Sequence, residues 1–348
     1  MKNLLACILA VVAVPLWSGN TVVPEEKDMG AYLFTFFNDS THSLFMATSR
    51  DGYEFTAVNG GNPVIAGDTI AEQHGIRDPH IFRGPDGAFY LSMTDLHIFG
   101  QQKGFRDTEW ERDGAKYGWG NNRSIILMKS PDLINWTRST IRIDKAFPDE
   151  FGDVCCFWAP ETTYDEKAGK LMLYFTIRRN MREHTDVYWA YVDDDYTHFT
   201  SVPQKLFEHP DSKIPVLDAD ICPMPGGGYF MTYVAQENPA GIRYMTSDSI
   251  NSAYVSTCDT QIDTEPRGCE APNTWKRIGQ DRWVVMYDIY GIKPHNFGFV
   301  ETSDFKTFEP LGRFNEGVMK AVNFKSPKHG SVIQITSEEA DRLENHWK

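Results

Sequence analysis

An all-β fold, a five-bladed β-propeller, is what this sequence of 348 residues predicts. Three observations carry the prediction. A short segment of similar character recurs five times, and each copy holds an ionisable residue. Every copy is followed, in the same order, by two further β-rich runs and a turn rich in Ser and Asp. Helix-length amphipathic patterns are scarce between them.

The recurring segments are Arg77-Asp78-Pro79-His80-Ile81-Phe82, Trp158-Ala159-Pro160-Glu161-Thr162, Leu217-Asp218-Ala219-Asp220-Ile221, Cys269-Glu270-Ala271-Pro272-Asn273 and Lys328-His329-Gly330-Ser331-Val332-Ile333. They are read as the first strands of five blades. Second strands, rich in aromatic residues, are expected over 89–94, 171–176, 229–234, 283–287 and 31–37. Third strands are expected over 124–129, 187–192, 242–246, 297–301 and 44–48. A turn and a short fourth strand close each unit. Ser49-Arg50-Asp51 precedes Phe55, Ser130-Pro131-Asp132 precedes Trp136, and Ser303-Asp304 precedes Phe308. Ser and Asp suit these places because their side chains bond nearby backbone amides.

The last first-strand lies near the C-terminus and its second strand near the N-terminus. Pairing the chain ends would close the ring and remove exposed sheet edges. The competing architecture is a β-sandwich with a second domain. It does not account for the shared order of strands and turns. Residues 95–122 form one long insertion containing His97, Trp110, Tyr117 and Trp119. A loop of this length in a compact domain is usually functional or disordered, and its aromatic content favours function.

Bulk properties narrow the partners. A net charge of −14 argues against nucleic acid and anionic membrane. An apolar fraction of 41% and a charged fraction of 24% are those of a globular protein. Residues 1–19 begin with one Lys and turn apolar, as a signal peptide does, so a secreted or periplasmic location is expected for a single catalytic domain over 20–348. The run before Cys7 is too short to make this a lipoprotein leader, and no later segment reaches membrane-spanning length. Cys258 and Cys269 bracket a polar loop and are placed to pair in an oxidising compartment. Cys155 and Cys156 would point to opposite faces of a strand, one of them into the core.

First strands line the central channel of a propeller. Aligning the five puts Asp78, Ala159, Asp218, Glu270 and His329 at one level, with His80, Glu161, Asp220, Pro272 and Ser331 two residues deeper. Carboxylates converging in an enclosed place raise one another's pKa, so one can hold a proton while another is ionised. Glycoside hydrolysis needs such a division of labour.

These segments together resemble glycoside hydrolase family 43. The likeness rests on Arg77-Asp78-Pro79-His80-Ile81, Phe157-Trp158-Ala159-Pro160-Glu161, Leu217-Asp218-Ala219-Asp220-Ile221, Glu270-Ala271-Pro272 and His329-Gly330-Ser331-Val332-Ile333, and spans nearly the whole chain after the leader. It implies a five-bladed propeller that hydrolyses glycosides with inversion, mostly arabinofuranosyl and xylosyl units. By this resemblance Asp78 matches the general base, Glu270 the general acid, and Asp218 the carboxylate that tunes the acid. His329 matches a histidine at the channel centre that contacts water or a structural cation, commonly calcium. No cofactor is required for the chemistry. The expected partner is an oligo- or polysaccharide, with His97, Trp110, Trp119, Trp158 and Glu161 as substrate contacts. Glu161 stands where the family often has Asp. α-L-Arabinofuranosidase is the first choice of activity, with β-xylosidase and β-galactofuranosidase open. A retaining fructosidase is disfavoured because no Asn-Asp-Pro motif precedes Arg77; Asn38-Asp39-Ser40 lacks the proline. A non-catalytic carbohydrate-binding propeller would be favoured if Asp78 or Glu270 were missing or pointed away.

Overall fold

In the computed structural model, residues 23–104, 112–207, 209–238, 240–256, 261–266 and 268–348 are described. Residues 1–19, where a signal peptide is expected, Cys7, Trp110 and Cys258 lie outside them, and with them the expected pairing of Cys258 with Cys269.

Five sheets follow the expected order, antiparallel throughout except where the two-residue strand Lys320–Ala321 pairs parallel with Glu54–Ala57 at the outer edge of the fifth. Blade I comprises Ile76–Arg83, Phe89–Asp95, Ser124–Ser130 and Thr137–Arg142. Blade II comprises Cys156–Asp165, Lys170–Arg178, Asp186–Tyr191 and Gln204–Phe207. Blade III comprises Val216–Pro223, Tyr229–Ala235, Gly241–Ser247 and Val255–Ser256. Blade IV comprises Glu270–Lys276, Trp283–Asp288, Phe297–Thr302 and Glu309–Arg313. Blade V is the split one. Its inner strand Lys328–Thr336 pairs with Met29–Phe37 from the other end of the chain, followed by Phe45–Ser49 and Glu54–Ala57.

Residue alternation explains why the sheets stack in a ring. In Lys170–Arg178, Leu171, Leu173 and Phe175 pack with Tyr90, Ile125 and Leu127 of blade I. Met172 and Tyr174 face the other way, onto Met231 and Tyr233 of blade III. Each sheet is apolar on both faces, and five such clusters fill the five junctions between neighbours. Each fully buried Leu or Phe contributes about 1.5–3 kcal/mol. Cys155 and Cys156 are both buried, so the expectation that only one faces the core is corrected. Cys155 lies just before the strand, outside its alternation.

The closing turns are held as their composition predicts. Asp51 Oδ1 accepts the N–H groups of Tyr53 (2.7 Å) and Glu54 (2.9 Å). Asp132 Oδ1 does the same for Ile134 and Asn135, and Asp304 Oδ1 for Lys306 and Thr307. In the last turn the hydroxyl on the Phe305 N–H is that of Thr302.

Around the channel a ring of hydrogen bonds joins each inner strand to the next. Ser331 Oγ accepts Ile81 N–H at 2.8 Å, and His80 Nδ1 accepts Thr162 N–H at 3.1 Å. Tyr174 Oη accepts Ile221 N–H at 3.1 Å and donates to Glu161 at 2.7 Å. Asp220 Oδ2 accepts Thr274 N–H at 2.9 Å, and Asn273 Oδ1 accepts Val332 N–H at 2.8 Å. The circuit runs V–I–II–III–IV–V. Gly330 lets the inner strand of blade V pair closely with Met29–Phe37, because a Cβ there would lie 2.0 Å from Thr35 O.

Asn273→Ala removes the acceptor for Val332 N–H and the donor to Asp220 Oδ1 (3.0 Å). Chemical unfolding should show a loss of about 1–3 kcal/mol, the range for a stranded buried polar group. An unchanged midpoint would remove the ring from the list of stabilising features.

Candidate active site

Each inner strand carries a residue in the left-handed region at the same place: Asp78 (φ 53°), Ala159 (46°), Asp218 (49°), Ala271 (54°) and His329 (22°). The strand pairing shifts register at these positions. A bulge here turns a side chain that would otherwise stay in the pleat toward the channel. Positive φ at non-glycine residues is uncommon and tends to occur where function demands it.

The bulges correct one part of the sequence alignment. In blade IV Ala271, and not Glu270, occupies the position of Asp78, Asp218 and His329. Glu270 stands one residue earlier, in the register of Arg77, Trp158 and Leu217. Pro272 is accordingly not at the deeper level; Asn273 is there, in the hydrogen-bond ring.

Asp78, Asp218, Glu270 and His329 nonetheless line one cavity of about 710 Å³. Trp119 and Trp158 line it too, their rings edge to face at 6.1 Å. Trp158 is fixed by its indole N–H, which donates to Gly120 O at 2.8 Å. Trp119 is 67% exposed at the rim.

The charges alternate around the floor. His329 Nδ1 lies 3.3 Å from Asp78 Oδ1 and 4.0 Å from Asp218 Oδ2. Thr94 donates its hydroxyl to Asp78 Oδ2 at 2.7 Å. Burial alone would raise the Asp78 pKa, but His329, Arg77 and Thr94 outweigh it and hold the carboxyl well below the usual range. Asp218 goes the other way. Burial, with Glu270 and Asp78 as like charges, pushes it up to about 7 against the pull of His329. Two carboxyl groups on one floor thus differ in protonation at neutral pH, as acid–base chemistry requires.

Two expected substrate contacts are corrected. His97 is buried at 2% exposure, with its ring stacked on His42 at 3.9 Å, so it does not face the cavity. Glu161 is 2% exposed and tied to Tyr174 in the ring beneath the floor, which withdraws it from a sugar. Its neighbours His80 and Asp220 line a second cavity of about 450 Å³ that shares no lining residue with the first. His329 was expected to contact a cation. Burial disfavours its charge, yet Asp78 and Asp218 prevail and raise its pKa to about 9. In this arrangement Nδ1 faces the two carboxylates. Among the described residues, His80, Glu161 and Asp220 bring candidate ligand atoms within 4.8 Å of one another. His80 Nδ1 already accepts Thr162 N–H, which leaves the ring proton on Nε2, 3.7 Å from Glu161. That ring has no free lone pair.

Several cavity residues escaped sequence reasoning. Arg77 bonds Asp39 at 2.9 Å and lies 4.0 Å from Asp78, with its guanidinium 4.6 Å from the centre of the Phe37 ring. Lys328 lies 3.2 Å from Glu270. Arg178, Tyr290 and His295 also line the walls. The available signal was adjacency, since Arg77 precedes Asp78 and Lys328 precedes His329 in the recurring segments. Asp39 carried none.

A five-bladed propeller with three carboxylates on one channel floor is the architecture of a glycoside hydrolase of the family 43 type. The chain belongs to that group: the family model of glycosyl hydrolases related to family 43, described as "Probable glycosyl hydrolase domain", matches residues 27–341. It is 25% identical over 281 residues to an α-L-arabinofuranosidase of Bifidobacterium longum subsp. longum, covering 73% of this chain and 24% of that protein. The chain therefore spans about a quarter of that relative's length. Among solved structures, it shares its fold with an endo-1,4-β-xylanase from Bacteroides thetaiotaomicron (TM-score 0.59, 12% identity, 84% of this chain and 94% of that one). It is likewise similar to an exo-1,5-α-L-arabinanase from a bovine ruminal metagenomic library (TM-score 0.53, 14% identity, 81% and 93%).

The raised pKa of His329 has a defined effect on stability. Its folded value of about 9 exceeds the ordinary 6.5. The folded state therefore holds the proton more tightly, and the stabilisation is complete below pH 6.5 and lost as pH climbs through 9. Unfolding free energies measured at pH 6 and pH 10 should fall on the order of 3 kcal/mol further in the wild type than in His329→Gln. Parallel curves would show that folding does not raise the ring's affinity for a proton.

Proposed function

We propose that this chain is an exo-acting α-L-arabinofuranosidase that hydrolyses with inversion and removes terminal sugars from plant polysaccharide side chains. One observation carries the chemistry: an ionised Asp78, a proton-retaining Asp218 and Glu270 border the same cavity. Asp78 takes a proton from water as the water oxygen bonds the anomeric carbon. The glycosidic bond breaks, and its electron pair on the leaving oxygen receives the proton of Glu270. Attack opposite the departing group inverts the anomeric centre. Asp218 and Glu270 repel each other when both are ionised, so the pair favours holding one proton between them. His329 and Thr94 hold Asp78 in its ionised form and in place.

Exo action is supported by the bulky aromatic residues Trp119, Trp158 and Phe99 in the lining of the cavity. The arabinofuranosyl preference is supported by the relationship to the Bifidobacterium enzyme. β-Xylosidase and β-galactofuranosidase activities are the other outcomes of the same assay.

A panel of nitrophenyl furanosides and pyranosides tests both parts. Asp78→Asn should lower kcat by about 10²–10⁴ on every substrate cleaved. Glu270→Ala should show a loss of similar size that shrinks as the leaving group becomes more acidic, because a good leaving group needs no proton. Proton NMR of the first product formed should show the inverted anomer. Equal rates for wild type and Glu270→Ala on the least acidic leaving group would reject Glu270 as the acid, and no hydrolysis of any substrate would favour a propeller that only binds carbohydrate.

Trp158→Ala should raise KM about tenfold or more with a smaller change in kcat, since a stacking face acts on substrate and transition state alike. An unchanged KM would place the sugar elsewhere in the cavity.

A further inference from the structure

Behind Glu270 stand two charged residues that the hydrolytic scheme does not use. Glu270 and Asp288 face each other across the first two strands of blade IV. Lys328 reaches both from the inner strand of blade V, with Nζ 3.2 Å from Glu270 Oε1 and 3.6 Å from Asp288 Oδ2. The Asp288 side chain is 0% exposed and that of Lys328 6%. Asp288 Oδ2 accepts His329 N–H at 3.2 Å, and Oδ1 has no hydrogen-bond partner.

The other blades show that a carboxylate is not needed here for the fold. In blades I and II the same register is held by Thr94 and Thr176, opposite Arg77 and Trp158. Thr94 Oγ1 accepts Ala159 N–H at 2.8 Å, and Thr176 Oγ1 accepts Asp218 N–H at 3.0 Å. A hydroxyl therefore suffices to catch the backbone of the next blade. Blade IV places an acid there instead, at the junction where a lysine stands beside Glu270.

We propose that Asp288 is a positioning residue that acts through Lys328 on Glu270: its buried carboxylate holds the ammonium in place and offsets its charge, so that Glu270 keeps the proton it delivers to the leaving oxygen. The inference rests on Glu270 being the acid. An ammonium at this distance favours an ionised Glu270, and an opposite charge so close depresses a carboxyl by about one to three pKa units. A second carboxylate on the same ammonium restores the balance. Lys328 stays above its usual range because Asp288 and Glu270 outweigh its burial, so the ammonium is kept between them. Burial raises Asp288 to about 7 despite Lys328, so its carboxylate offsets the ammonium fully only above that pH. Asp218, Arg77 and His329 also act on Glu270 from the floor, and Tyr290 and His295 from the wall. These groups are common to every variant below, so they set the baseline and not the difference.

The pH dependence of kcat/KM on an alkyl glycoside, whose leaving oxygen needs a proton, decides the matter, because its basic limb reports the acid of the free enzyme. Asp288→Asn leaves the ammonium uncompensated. The Glu270 pKa falls, and the limb should move to lower pH by about one unit. Lys328→Gln removes the cation, Asp288 then takes up a proton, and the limb should move to higher pH. A purely structural role would lower rate or melting temperature without moving the limb in opposite directions. A stationary limb in either folded variant overturns the proposal, and if Asp288→Asn does not fold, Lys328→Gln alone decides. Glu270→Ala run alongside separates the two levels. Full activity there means that Glu270 is not the acid and the tuning falls with it. Loss of activity there, with unmoved limbs in the other two, removes Asp288 alone.

Discussion

The molecule depends on a closed circuit of side-chain-to-backbone hydrogen bonds around the channel axis. Each inner strand offers one N–H to an acceptor on the blade before it: Ser331, His80, the Tyr174–Glu161 pair, Asp220 and Asn273 in turn. Buried backbone donors must find partners, and neighbouring inner strands of different sheets have no ladder to supply them. Polar residues at the deeper level of the channel fill that need. They are thereby committed to structure, and chemistry is left to the level above. The same circuit holds the ends of the chain, since it passes through Ser331 and Val332 of the split blade.

At the upper level the organising rule is alternation of sign. Arg77 lies between Asp39 and Asp78, His329 between Asp78 and Asp218, and Lys328 between Glu270 and Asp288. Five carboxyl groups meet because each cation is shared. Cationic neighbours also make the acids unequal. Asp78 is held ionised by His329 and Arg77, whereas Asp218 is raised by burial and by two like charges. Inequality among similar groups is what lets one surface act as both acid and base.

Much of this was legible in the residues. A strand period of two, aromatic second strands and Ser/Asp turns specify blades because each is a local rule, and the sheets conform to it. Asp78, Asp218 and Glu270 could be named from their place in recurring segments. The register of Glu270 could not. Glu270-Ala271-Pro272 reads equally well with either of its first two residues at the bulge, and the choice is made by pairing with Trp283–Asp288. His97 and Glu161 were read as substrate contacts from residue type and position. Burial against His42 and the bond from Tyr174 depend on strands far away in the sequence.

The sequence by itself determined the number of blades, the order of strands and the acidic residues carried by the inner ones, because periodicity and turn chemistry act over a few neighbouring residues. Tertiary structure decided which charges meet. Asp39, Asp288 and Lys328 occupy no common motif, and their pairing arises where the first and last strands of the chain close the ring. Protonation follows from distance and burial, quantities that exist only once the blades have assembled around a common axis.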